Sequence, residues 1–220
     1  MTEPSGDSSE KPRRPVVVPV ITMTALTAIG VTALLGGLGE APDEPPALGA
    51  GAVLDQGQYA TKIVESRVTV VPAESEFLED KRFVELVFDV TNKGDETADV
   101  GVPSPKLNQA YVSSSFAASL LKITPVFDED AGPFVFAQAK GGETRQLQPG
   151  VPARVIVRYQ LKENEPPPEK ISFEVAGFEF APEFNTDTPR WQMITSQSFD
   201  TFLPKIEARV TLTVKKGGTA

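Results

Sequence analysis

Residues 83–100 read FVELVFDVTNKGDETADV, and this stretch decides the fold. Val84, Leu86, Phe88 and Val90 fall on one side of a period-two alternation, with Glu85, Val87 and Asp89 on the other. Successive side chains of a strand point to opposite faces, so the pattern predicts a strand with one face in a core and one toward solvent. Asn92-Lys93-Gly94-Asp95 then supplies the turn, since Asn and Asp side chains bond back to nearby backbone and Gly tolerates a tight reversal.

The alternation recurs farther along. Val155, Val157, Tyr159 and Leu161 alternate with Arg154, Ile156, Arg158 and Gln160. Ile206, Ala208, Val210, Leu212 and Val214 alternate with Glu207, Arg209, Thr211 and Thr213. Apolar runs at 64–71, 98–102, 120–126, 134–139 and 171–180 read as further strands. In the last of these Ile171, Phe173 and Val175 are in one phase and Phe178 and Phe180 in the other, so a bulge or a change of face is expected at Gly177. Gly- and Pro-bearing turns separate the runs, and no long helical stripe follows residue 39. About seven or eight short strands joined this way predict an all-β fold, an antiparallel sandwich over 57–214 with a short tail over 215–220.

Gly57-Gln58, the stretch at 83–100 and LQPGVPARVIVRYQL at 147–161 together resemble the DUF4352 and telokin-like group, immunoglobulin-like domains of bacterial exported and membrane-anchored proteins. The shared features are a strand ending in Val-Thr-Asn-x-Gly and a later Leu-x-Pro-Gly turn that opens another strand. Residues 103–140 do not follow the pattern. The resemblance implies an immunoglobulin-like sandwich that serves as a binding or structural module, and it carries over no catalytic residue.

The N-terminus has a different composition. Residues 1–14 are polar and read as a disordered cytoplasmic tail. Lys11, Arg13 and Arg14 precede PVVVPVITMTALTAIGVTALLGGLG, an uncharged run over 15–39. As a helix this run would be about 37 Å long, enough to cross a hydrocarbon core of about 30 Å. Glu40, Asp43 and Glu44 follow it, and the next cation is Lys62, so the charge asymmetry predicts a cytoplasmic N-terminus and an extracytoplasmic bulk. Secretion after signal cleavage is the alternative. Gly39-Glu40-Ala41 and Ala50-Gly51-Ala52 fit small-x-small, but Pro42 follows the first and the second lies past the apolar run. Thr24, Ala28, Thr32 and Gly36 recur four residues apart, which would let two helices approach closely in the membrane; the bland reading is that small residues are common in this run. Residues 40–56, rich in Pro, Ala and Gly, read as a spacer.

Composition narrows the chemistry. The chain has no Cys and no His, which removes thiolate and imidazole catalysis, disulfides and the commonest metal ligands. With 21 basic and 30 acidic residues its net charge of −9 argues against nucleic acid. The Ser-x-x-Lys at Ser119–Lys122 lacks its companion elements and lies in a strand pattern, and the acidic groups at 74–80 and 128–130 lack the spacing of a calcium loop. No cofactor and no enzymatic activity are expected.

The irregular stretch APEFNTDTPRWQMITSQSFDT at 181–201 holds the single Trp of the chain. Long loops on a rigid scaffold are where binding residues concentrate, and Trp and Arg are enriched at interface hot spots. Phe184, Arg190, Trp191 and Phe199 are therefore the candidate partner-binding residues; the alternative is that Trp191 and Phe199 fold back and plug one end of the core. The reading that results is a membrane-anchored extracytoplasmic module that engages a protein partner in a bacterial cell envelope. An extracytoplasmic ligand-binding sensor or carrier domain is the alternative.

Overall fold

A computed structural model describes residues 44–73, 75, 77, 79–139, 142–183, 187–198 and 201–219. The expected cytoplasmic tail over 1–14 and transmembrane helix over 15–39, with Thr24, Ala28, Thr32 and Gly36, lie outside the described residues. Among the described residues no helix is long and apolar enough to cross a membrane.

The fold is all-β. In chain order the strands are β1 (Ala47–Leu48), β2 (Val53–Asp55), β3 (Tyr59–Val71), β4 (Lys81–Asn92), β5 (Ala98–Asp99) and β6 (Leu120–Thr124). There follow β7 (Phe134–Ala139), β8 (Gly142–Thr144), β9 (Gln146–Leu147), β10 (Pro152–Leu161) and β11 (Lys170–Ala176). The last are β12 (Phe178–Pro182), β13 (Pro189–Met193), β14 (Thr195–Ser198), β15 (Thr201–Pro204) and β16 (Ile206–Thr219). A short helix, Leu107–Ala110, lies between β5 and β6. The main sheet runs β6-β11-β16-β3-β4-β10-β7-β8, with β1 on β16 and β2 on β3. Strand β16 joins its two halves: residues up to Thr213 pair antiparallel with β11, and Val214 onward pair parallel with β3.

This sheet folds back on itself. Neighbouring strands are about 4.8 Å apart, so in a flat sheet β11 and β4 would be separated by roughly 14 Å. Yet Phe173 of β11 and Phe88 of β4 meet edge to face with ring centroids 5.8 Å apart. Phe116 packs on Phe88 at 5.5 Å and on Tyr59 at 5.8 Å, and Phe178 packs on Tyr59 at 5.3 Å. The alternating residues read from the sequence, Val84, Leu86, Phe88 and Val90 with Val155, Val157 and Tyr159, are all in this core. Each fully buried side chain of this size contributes about 1.5–3 kcal/mol.

Several elements differ from the sequence reading, each for a local reason. Strand β3 begins at Tyr59 instead of 64, because the register shift between Ile63 and Glu65 moves the buried set from Tyr59, Thr61 and Ile63 to Ser66 and Val68, and period two is lost at the bulge. The expected solvent face of β4 is closed: Phe83, Glu85 and Val87 are buried along with the core face. Arg158 lies over the rings of Phe83 and Phe136 at 4.9 and 4.7 Å, and Arg67 Nε donates to Glu85 at 3.0 Å, so long cationic side chains cover this face. The spacer expected over 40–56 contains β1 and β2, and the tail expected at 215–220 is part of β16 as far as Thr219. The change of phase at Gly177 is present, as the break between β11 and β12.

Candidate functional site

The stretch at 181–201, expected as an irregular loop, instead forms much of two antiparallel ribbons, β12–β13 and β14–β15, outside the main sheet. Polar sequence hid them, because a two-stranded ribbon needs no apolar alternation beyond the rung that touches the core. In β12–β13 the rung Phe178–Met193 is buried, and the next rung on the same face is Phe180–Trp191. Those two rings are 5.4 Å apart. Trp191 is half-buried against the core, whereas Phe180 is 56% exposed.

The base of the ribbon is seated on residues 55–59. Phe178 N donates to Gln56 O at 2.6 Å, and Gln56 is itself held by bonds to Ser119 Oγ (2.8 Å), Ala176 O (2.9 Å) and Thr61 Oγ1 (2.6 Å). Gly57 has φ +84, and a Cβ there would lie 1.9 Å from Phe178 O, so only glycine admits the ribbon at this distance. Asp55 Oδ1 accepts from Gly57 N at 2.9 Å and from Lys93 Nζ at 2.8 Å; the Lys93 hydrogen bond, then that of Gly57, holds the Asp55 carboxyl below its ordinary range.

A groove of about 540 Å³ opens between this ribbon, the turn after β4 and the segment at 111–115. The turn is shaped by Asn92, which is fully buried: Nδ2 donates to Glu96 O (2.7 Å) and Leu147 O (3.1 Å), and Oδ1 accepts from Gly94 N (2.9 Å). The Asn-x-Gly turn of the sequence thus carries Asp95 and Glu96 to the rim. Gly94 lets the indole come close, since a Cβ there would be 3.1 Å from Trp191 Nε1. The opposite wall is pinned from the core, where Tyr59 Oη donates to Ser114 O at 2.7 Å. Burial, and secondarily the charge of Asp99, pushes the Tyr59 phenol well above its ordinary value, so it remains a donor. Tyr111 completes that wall and packs on Phe202 with ring centroids 5.9 Å apart.

Of the four residues expected to bind a partner, Arg190 and Trp191 are adjacent in β13 and both border the groove. Phe184 and Phe199 lie outside the described residues. Arg190 Nη2 is bonded to Glu183 Oε1 at 2.9 Å. Gln58, Asp95, Glu96, Tyr111 and Phe180 also border the groove; in the sequence Gln58 and Asp95 belong only to a motif or a turn, Phe180 only to the change of strand phase, and Glu96 and Tyr111 carry no signal of a site. Ser119 and Lys122 do not form a catalytic pair: Ser119 Oγ is buried and donates to Phe116 O at 2.7 Å, and Lys122 Nζ is 2.8 Å from Glu174. Among the described residues no group of three or more acidic side chains is placed to hold a metal ion. No family model, curated protein or solved structure matches the chain.

Proposed function

We propose that the chain is a single-pass, membrane-anchored binding module of the bacterial cell envelope. Its extracytoplasmic domain is an immunoglobulin-like sandwich of the DUF4352 and telokin-like kind, engaging a protein partner without catalysing a reaction. The anchor is supported by the uncharged run at 15–39 and its flanking charges, and the domain by a sheet folded over one aromatic core. The observation that carries the binding role is the Phe180–Trp191 rung, which places an exposed ring beside a half-buried one on a ribbon standing outside the sheet. A large aromatic left at 56% exposure on a positioned element is what interface anchors look like.

The test is recovery of partners from solubilised membranes with the tagged full chain and with Phe180→Ser. Loss of a specific co-purifying protein in the variant, with an unchanged melting temperature, is the expected result. The same proteins recovered with both chains would refute the role of the ribbon. A second reading, a sensor or carrier domain for a small ligand, draws on the same groove, whose volume of about 540 Å³ is in the range of small-molecule sites.

A further inference from the structure

We propose that the β domain docks on the bilayer by the end at which the chain enters it, inserting Tyr111, Val112 and Phe202 at the level of the lipid headgroups. This rests on the reading of 15–39 as an anchor and goes beyond the partner-binding role of Phe180.

Strand register fixes which end this is. Arg209 N donates to Pro46 O at 2.9 Å, and β1 then runs parallel to β16 with Ala47 beside Arg209. The chain therefore enters next to the start of β16, where β11 also stops, since Ala176 pairs with Ile206. Both ribbons leave the sheet at this end: Ile194 N donates to Gly177 O at 2.9 Å, and Lys205 N donates to Ile194 O at 2.8 Å. Phe202 belongs to the second ribbon and packs on Tyr111, and Val112 follows with 76% of its surface exposed. The bond from Tyr59 Oη to Ser114 O ties that segment to the first residue of β3, again at the same end.

Chain length selects the lipid surface as the occupant. Six residues separate Gly39, the last of the apolar run, from Pro46, and fully extended they reach about 25 Å at most. Strand β3, with 13 residues, is by itself about 43 Å long. Exposed apolar residues occur at the far end as well, where Val126 lies beside Leu161 at the close of β10, but so short a tether cannot turn that end to the bilayer. It does hold Tyr111, Val112 and Phe202 within reach of lipid. A short tether gives an effective concentration of the order of mM, so even weak insertion is populated. Tyr is enriched at headgroup level, and Phe and Val add apolar area at the acyl boundary. The net charge of −9 gives no attraction to anionic headgroups, so the attachment is apolar.

The test uses the full chain reconstituted in phosphatidylcholine vesicles. The chain has no Cys, so Val112→Cys and Val126→Cys each carry a single environment-sensitive fluorophore. Both positions are exposed, which leaves the melting temperature unchanged. The label at 112 is expected to shift to the blue and to lose emission to a headgroup spin-labelled lipid, equally at low and high salt, while the label at 126 does neither. Adding Phe202→Ser to Val112→Cys is expected to reduce the quenching. Quenching at both positions, at 126 alone or at neither overturns the docking. Quenching at 112 that survives Phe202→Ser in full shows mere proximity and overturns it too, and quenching lost at high salt overturns its apolar character. Flotation of the vesicles separates the two readings: a chain that fails to float refutes the anchor and this inference with it, whereas one that floats with an unquenched label at 112 refutes the docking alone.

Discussion

Replacing Gly57 with alanine tests how the ribbon is seated. The residue has φ +84, where a Cβ costs about 1 kcal/mol by itself. The new Cβ would lie 1.9 Å from Phe178 O, where contacts under 3.0 Å essentially never occur, so β12 has to move by about 1 Å. That movement also strains the 2.6 Å hydrogen bond from Phe178 N to Gln56 O, worth about 1 kcal/mol. With an overpacking cost of about 1–3 kcal/mol the total is about 3–5 kcal/mol, or about 10 °C in melting temperature for a domain of this size. Gly150→Ala is the control: its φ is +69 but nothing lies within 4 Å of the added Cβ, so only the backbone term applies, about 2–4 °C. Thermal unfolding by circular dichroism gives the two shifts, and the emission maximum of Trp191, which packs beside Gly57, reports whether the ribbon moved. Equal shifts for the two variants with unmoved Trp191 emission would refute the seating of the ribbon on Gly57.

Asn92→Ala leaves Glu96 O, Leu147 O and Gly94 N without a side-chain partner and should destabilise by about 2–4 kcal/mol, with a shift in Trp191 emission as the turn relaxes. Tyr59→Phe removes the bond to Ser114 O; a loss of about 1 kcal/mol in a denaturant melt is expected, with faster amide exchange confined to 111–115. The Glu65 carboxyl is held below its ordinary range first by the Lys215 hydrogen bond at 2.8 Å. Because its folded value is depressed, its contribution is present above the ordinary glutamate range of about pH 4.3 and fades as pH falls through the folded value. Lys215→Met should therefore lower stability near neutrality by under about 1 kcal/mol and flatten the acid limb of a melting temperature–pH profile. An acid limb identical to that of the parent would show that the pair between β16 and β3 is not formed.

Much of this molecule follows from its one-dimensional pattern. Period-two alternation at 84–90, 155–161 and 206–214 specifies buried strand faces, because side-chain direction is a local property of the backbone. The Asn92 turn and the break at Gly177 are equally local, and both were legible. The segments that escaped the pattern are those in which neighbours decide. The start of β3 was hidden by a bulge at Ile63–Glu65, the outer face of β4 is closed by Arg67 and Arg158 from adjoining strands, and β1 and β2 pair only because β16 and β3 offer free edges.

The candidate site divides in the same way. Trp191 and Arg190 could be singled out by residue type alone, as rare, large groups in a long connection. Their company could not: Gln58, Asp95, Tyr111 and Phe180 come from four separate parts of the chain. Only the docking of β12 on Gln56–Gly57 and the bond from Tyr59 to Ser114 bring these groups around one groove. Composition had already determined what chemistry is absent, since a chain without His or Cys lacks those groups in any fold. Which of the remaining carboxylates and rings stand together was decided by tertiary packing, because proximity between distant residues is a property of the folded chain alone.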